Sequence, residues 1–153
     1  MKKIAKVLLP LLIAVLLSAC AAPADKAPAP ALSENVEKAL NGHEGLVACD
    51  LTDLADLTGL DETMIQECVY LTSSDGLATE EVIALRCTDK KHTEHVKNVL
   101  NLYLEQRMQE TQNYLPDVYT LLKNTKVQEK GSTVLLVIGQ QANTWQNAIL
   151  AGE

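Results

Sequence analysis

Cysteine side chains offer this sequence its most versatile chemistry, and four are present: Cys20, Cys49, Cys68 and Cys87. A thiolate can act as a nucleophile, bind a metal or form a disulfide. In a β-hairpin centred between Leu77 and Ala78, Cys68 would lie opposite Cys87, close enough for a disulfide. The sequence therefore allows one bridge, between Cys68 and Cys87. The alternative is that the thiols stay reduced and pack as small apolar groups.

Two histidines, His92 and His95, lie three residues apart at the predicted start of a helix, shortly after Cys87. Histidine and cysteine are common zinc ligands, so these three side chains are the best metal candidates in the sequence. Their spacing matches no familiar zinc motif, and no fourth ligand is evident. We therefore expect solvated histidines, no bound metal and no cofactor.

An acidic stretch lies between Lys38 and Arg86, where the sequence has no basic residue. Its carboxylates could attract a cation or a cationic component of the cell wall. A calcium-binding EF-hand loop needs oxygen ligands at alternate positions. Here Asp50, Asp53 and Asp56 recur at every third residue instead, which is typical of one solvated side of a helix.

Motifs of hydrolases and nucleotide-binding enzymes are missing from the sequence. We find no G-x-S-x-G, H-E-x-x-H or S-x-x-K, and neither a P-loop nor G-x-G-x-x-G. We therefore assign no catalytic residue.

The first 19 residues have the layout of a secretory signal peptide. Lys2, Lys3 and Lys6 precede an apolar stretch from Val7 to Leu17. That stretch is well short of the roughly 20 residues that a membrane-spanning helix needs. A cleaved signal peptide over residues 1–19 is therefore favoured over a permanent transmembrane anchor.

The sequence Leu17-Ser18-Ala19-Cys20 resembles the lipobox of bacterial lipoproteins. The resemblance implies cleavage before Cys20 and a diacylglyceryl group on its thiol. Two acyl chains would hold the protein stably on the extracytoplasmic face of the cell membrane. Residues 20–31 then form a tether whose prolines and alanines favour an extended chain with a reach of roughly 30 Å.

Composition allows one ordinary domain, which we place at residues 32–153, because 153 residues are too few for two full cores. The net charge is −7, although the first segment is basic. An acidic domain is repelled by phosphate backbones, so we exclude nucleic acid as a partner. We expect a monomer.

Hydrophobic periodicity predicts an α+β domain: a small antiparallel sheet of about four strands in two hairpins, with helices packed on one face. The predicted strands are Cys68–Thr72, Glu81–Cys87, Lys126–Glu129 and Ser132–Ile138. Helices are predicted from Ser33 to Asn41, from Val47 to near Gly59, from Asp89 to Asn113, from Pro116, and from Ala142 to Leu150.

Three stretches resemble a bacterial lipoprotein family known as the domain of unknown function numbered 4358. They are Ala78–Leu85, with its acids before an aliphatic strand; Tyr114-Leu115-Pro116-Asp117-Val118-Tyr119; and Lys130–Ile138, a glycine turn followed by an aliphatic strand. The resemblance implies a membrane-anchored extracytoplasmic domain, found mostly in Gram-positive anaerobes. It implies no activity. The tyrosines are expected to pack the corner at Pro116.

These observations favour a lipid-anchored binding or interaction module that presents its domain to a protein, a peptide or an envelope polymer. The alternative is a small hydrolase-like enzyme of the cell envelope that uses the acidic stretch, or His92 and His95.

Overall fold

The computed structural model describes residues 30–75 and 79–153. The predicted signal peptide, Cys20 and nearly all of the tether lie outside the described residues. The helices are α1 (Leu32–Leu40), α2 (Leu51–Thr58), α3 (Thr93–Thr111), α4 (Pro116–Asn124) and α5 (Ala142–Ala151). The strands are β1 (Leu46–Cys49), β2 (Ile65–Ser73), β3 (Glu81–Cys87), β4 (Gln128–Lys130) and β5 (Thr133–Ile138). Short 3₁₀ turns at Glu62–Met64 and Lys90–His92 precede β2 and α3.

The five strands form one antiparallel sheet in the order β1-β2-β3-β5-β4. The predicted α+β class and both predicted hairpins, β2–β3 and β4–β5, are confirmed. Strand β3 lies at the centre, and every residue of β5 beside it is buried. The near-continuous aliphatic run of β5 fits this position, because a strand covered on both faces needs apolar side chains in both directions.

Helices cover both faces of the sheet, whereas the sequence predicted cover on one face. Helices α2, α3 and α4 pack on one face, over Ile83, Leu85 and Leu136. Helices α1 and α5 pack on the other, where Val82 and Val137 are buried. Both alternating sets of side chains in β3 and β5 are apolar, so each face requires its own helical layer.

Strand β1 is the additional element that the sequence did not predict. Apolar residues at three- and four-residue spacing suggested a helix from Val47, but Leu46–Cys49 pairs with β2, from Leu46 opposite Ser73 to Cys49 opposite Tyr70. The helix begins only after Asp50. There the side chain of Asp50 accepts a hydrogen bond from the Asp53 N–H at 2.9 Å, and the side chain of Asp53 accepts one from the Asp50 N–H at 3.2 Å. This reciprocal capping sets the start of α2.

Candidate functional site

The two ends of the sheet carry different polar clusters, and β3 runs between them. Glu81 lies opposite Ile138 at one end, and Arg86 lies opposite Thr133 at the other. The two residues are five positions apart, so these ends are separated by roughly 17 Å at the usual rise of a strand. We refer to them as the Glu81 end and the Arg86 end.

At the Arg86 end, one guanidinium group binds both Pro30, just before the first helix, and Glu153, in the segment that follows α5. Arg86 Nη2 donates to the carbonyl oxygen of Pro30 at 3.1 Å and to both carboxylate oxygens of Glu153 at 2.9 Å. Its Nη1 pairs with Glu67, whose other oxygen accepts the Leu32 N–H at 2.7 Å. The point where the chain enters the domain is thereby fixed to this end of the sheet.

Glu153 has further partners in the same cluster. The hydroxyl of Thr133 donates to it at 2.5 Å, and the side-chain amide of Asn35 donates at 2.7 Å. Burial alone would raise the pKa of Glu153, but the hydrogen bonds from Thr133, Arg86 and Asn35 outweigh it and lower the pKa. Every charge of this cluster has a partner, so its role is to hold the chain segments together.

At the Glu81 end, a carboxylate is buried under α3. Glu81 is 2% exposed. The Tyr103 hydroxyl lies 2.8 Å from one carboxylate oxygen, and Arg107 Nη1 lies 3.1 Å from the other. Tyr70 of β2 also hydrogen-bonds to Glu81. Burial raises the pKa of Glu81, while the charge of Arg107 and these hydrogen bonds oppose the rise.

This cluster has the composition of an acid–base site, but its groups are occupied by one another. Arg107 also donates to the Tyr103 hydroxyl, at 2.8 Å. Burial is the main cause that raises the pKa of both Tyr70 and Tyr103, so these phenols remain protonated. We interpret the cluster as the polar contact that orients α3 on the sheet. The sequence signal for it is an acid that begins a strongly apolar strand.

The three described cysteines lie on one face of the sheet, in three neighbouring strands, and are free. Cys68 lies opposite Leu85, and Cys87 lies opposite Ile65. The pairing of Cys68 with Cys87 in direct register is therefore wrong, because the observed register is shifted by two residues. Diagonal neighbours on two strands are about 7–8 Å apart, too far for a bridge without backbone movement.

Burial also makes these thiols poor nucleophiles. Desolvation raises the pKa of Cys68 to about 11, and it raises the pKa of Cys49 and Cys87 as well. A thiol in this state carries little thiolate at neutral pH. Cys87 lies in the core, and Cys49 and Cys68 are half-buried against it.

The structure does not gather the predicted metal candidates into a site. His92 hydrogen-bonds to the hydroxyl of Thr88 through Nδ1 at 3.0 Å, His95 is exposed, and Cys87 is buried. Among the described residues, no group of three or more His, Cys, Asp or Glu side chains could hold a metal ion. Asp50 is occupied in capping α2, and Asp53 and Asp56 are exposed along that helix.

A third histidine, which the sequence did not single out, lies near the Glu81 end. His43 Nε2 is 2.9 Å from a carboxylate oxygen of Glu80, and its ring meets the edge of Trp145 with centroids 4.7 Å apart. Gly139 lies beside Glu80 and Trp145, and its φ of 151° is a backbone conformation that favours glycine.

An elongated groove opens at the Glu81 end, between α4 and the loop that joins β5 to α5. It consists of three adjoining depressions of about 370, 360 and 280 Å³, which share Leu121 and Gln140. The largest is lined by five carboxamide side chains, and we call the whole feature the amide groove. The carboxamides are Asn124, Gln128, Gln140, Asn143 and Gln146.

Some of these carboxamides are fixed and others are free. Gln128 donates to Gln146 at 3.1 Å, and Gln146 donates to the carbonyl of Lys126 at 3.0 Å. Gln140 and Asn143 are exposed, and their side chains have no partner within the described residues. A free carboxamide offers two donors and an acceptor with two lone pairs. Gln140 and Asn143 therefore present free hydrogen-bonding groups to the groove.

The corner between α3 and α4 adjoins this groove and carries two exposed apolar side chains. Tyr114 is 84% exposed and Leu115 is 53% exposed. The expectation that both tyrosines pack the corner is therefore wrong for Tyr114, while Tyr119 is half-buried. Pro116 begins α4, as predicted.

No helix within residues 30–75 and 79–153 has the length and apolar character needed to cross a membrane.

The fold defines a small α+β domain in which a five-stranded antiparallel sheet separates two helical layers. The chain belongs to the family described as Domain of unknown function (DUF4358), which matches residues 36–139. All three stretches that carried the resemblance lie within this range. The sequence has no significant match among curated proteins or among solved structures.

Proposed function

We propose that this chain is a lipid-anchored extracytoplasmic binding module that holds its amide groove away from the membrane. The observation that carries the proposal is the hydrogen bond from Arg86 to the Pro30 carbonyl. It ties the end of the tether to one end of the sheet, whereas the amide groove lies at the other. A domain held by Cys20 would therefore present the groove to the space outside the cell.

The catalytic alternative has no comparable support. A hydrolase would need a nucleophile, a base and an oxyanion-stabilising group that converge on one pocket. The acidic side chains of α2 lie in solvent, and His92 bonds to Thr88. The fully paired Glu81 cluster leaves no free acid or base.

The anchor is tested by replacing Cys20. In a bacterial host supplied with a labelled fatty acid, the wild-type chain should be cleaved before Cys20 and should carry the label, whereas Cys20→Ser should carry no label. Cys49→Ser is the matched control, because it removes a thiol from the domain, and should be cleaved and labelled as wild type. Equal labelling of all three proteins would disprove lipidation at Cys20.

The orientation is tested with spin labels on two single-cysteine additions in the reconstituted full chain. Ser33→Cys lies beside the tether, and Gln140→Cys lies in the amide groove. Both positions are exposed, so the added thiols should react far faster than Cys49, Cys68 and Cys87, which are half-buried or buried and have raised pKa values. Nickel chelated on lipid headgroups should broaden the Ser33 signal and leave the Gln140 signal sharp. The opposite order would refute the proposed orientation.

A further inference from the structure

We propose that the amide groove binds an extended peptide segment, with a basic residue of that peptide at the end of the groove near Asp117 and Glu80. This inference rests on the proposed function, since it names the ligand of the displayed groove. It is carried by the shape of the groove, by its carboxamides and by the distribution of charge along it.

The shape favours a linear ligand. The three depressions share Leu121 and Gln140, and between them they follow α4 from Asp117 to Thr125, so they form a path along that helix and not one closed cavity. An extended chain advances about 3.3 Å per residue and can lie along such a path. A compact small molecule would fill only one of the depressions.

The chemistry favours peptide groups. Each peptide unit presents one N–H donor and one C=O acceptor, and a carboxamide side chain can satisfy both. Gln140 lies where the three depressions meet, Asn143 lines the first of them, and both side chains are free to form such pairs. Gln128 and Gln146 hold each other in position at the far end of the groove, which limits the entropy lost on binding.

Apolar surface lies next to these amides. Val118 and Leu121 are half-buried and line the second depression, between Thr79 and Gln140. They offer a place for one apolar side chain of the bound segment. The groove suits a sugar ring less well, because none of the residues that line the three depressions is aromatic and a ring has no aromatic face to stack on.

Charge is distributed unequally along the groove, so a bound peptide should lie in one orientation. Lys126 lines the first depression, while Asp117 lines the second and Glu80 lines the third. Asp117 is exposed. One oxygen of Glu80 lies 2.9 Å from His43, but the Glu80 side chain is still 30% exposed, so both carboxylates can meet a ligand cation. A peptide with Lys or Arg at this end matches the potential of the groove, and an acidic peptide does not.

The test is a selection from a displayed library of random seven-residue peptides on the full chain in detergent. We expect the selected peptides to share a Lys or Arg on one side of an uncharged segment. A synthetic selected peptide should bind the Gln140→Ala/Asn143→Ala double variant about tenfold more weakly, because at least two hydrogen bonds are lost. The Asn98→Ala/Asn147→Ala variant removes two exposed carboxamides outside the groove, and should bind as wild type.

A second measurement tests the proposed contact between Asp117 and the basic residue of the peptide. Asp117→Asn should weaken binding by about threefold at low salt, and this difference should shrink as salt rises. Thermal unfolding of each variant within about 2 °C of wild type shows that the fold is retained.

Three outcomes would overturn the inference. These are a selection that enriches no peptide, selected peptides that bind equally to the double variant, or neutral oligosaccharides on a glycan array that bind only when Gln140 and Asn143 are present. None of these outcomes bears on lipidation of Cys20, or on whether nickel broadens the label at Ser33→Cys or the label at Gln140→Cys. Failure here is thus distinct from failure of the proposed anchoring and orientation.

Discussion

Arg86 and Glu153 lie 67 residues apart in the sequence, yet Nη2 of Arg86 is 2.9 Å from each carboxylate oxygen of Glu153. Both side chains are largely buried, at 11% and 6% exposure. The pair joins the central strand to the segment that follows α5, and the same guanidinium also holds Pro30. The Arg86 end therefore depends on one cation shared by several acceptors.

Replacing that cation should destabilise the domain. Arg86→Met keeps much of the apolar volume but leaves the carboxylates of Glu67 and Glu153 without their cation. We expect a loss of about 2 kcal/mol in the free energy of unfolding, measured with urea. Lys97→Met is the control, because Lys97 and Glu129 form an exposed pair at 3.5 Å that should contribute less than about 1 kcal/mol. Equal losses in the two variants would contradict the role assigned to Arg86.

Glu81 and Glu153 should affect stability with opposite dependence on pH. The lowered pKa of Glu153 provides stability that is present above the ordinary glutamate range and is lost as the pH falls through the folded value. The raised pKa of Glu81 means that the folded state holds this proton more tightly. Its contribution is present at low pH and is lost as the pH rises through the folded value.

Urea unfolding of wild type, Glu81→Gln and Glu153→Gln between pH 3 and pH 8 measures both effects. The stability advantage of wild type over Glu153→Gln should grow as the pH rises. The advantage of wild type over Glu81→Gln should shrink over the same range. Parallel curves for the two variants would show that one of the two pKa directions is wrong.

The sequence predicts the parts of this fold that are encoded locally. The glycine turn before Ser132 and the aliphatic run of β5 specify one hairpin, and Pro116 specifies the start of α4. Strand β1 is different. Its four residues carry helical spacing, and only pairing with β2 selects the extended form. Tertiary contacts override local propensity there.

The polar clusters and the amide groove could not be predicted in the same way. Glu81 begins a strand, a position where an acid is normally solvated. It is buried here only because α3 packs over it and places Tyr103 against its carboxylate. The carboxamides of the groove come from α4, β4, the loop between β5 and α5, and α5 itself, and no local motif joins them. Their proximity follows from the order of strands in the sheet.

Strand β5 should not tolerate a charge. Leu136 has no exposed surface, and an aspartate there would be buried without a partner. We expect Leu136→Asp to cost at least about 4 kcal/mol, which approaches the full stability of many small domains. The control is Leu102→Asp, the same substitution at a position on α3 that is 66% exposed, which should change stability by less than about 0.5 kcal/mol. Cooperative melting of both variants near the wild-type temperature would refute burial of β5.

Cys49, Cys68 and Cys87 should be slow to react in the folded protein and fast after unfolding. With its pKa raised to about 11, Cys68 carries roughly one thousandth of its population as thiolate at pH 8. The pKa values of Cys49 and Cys87 are raised as well, and Cys87 is also buried. We expect a colorimetric disulfide reagent to label the native full chain at least about 50-fold more slowly than free cysteine. In urea without a reductant, lipidation of Cys20 leaves three reactive thiols, Cys49, Cys68 and Cys87, and all three should be labelled rapidly. A titre of one would instead show that Cys68 and Cys87 are bridged, which would require the β2–β3 strands to move from the register described here.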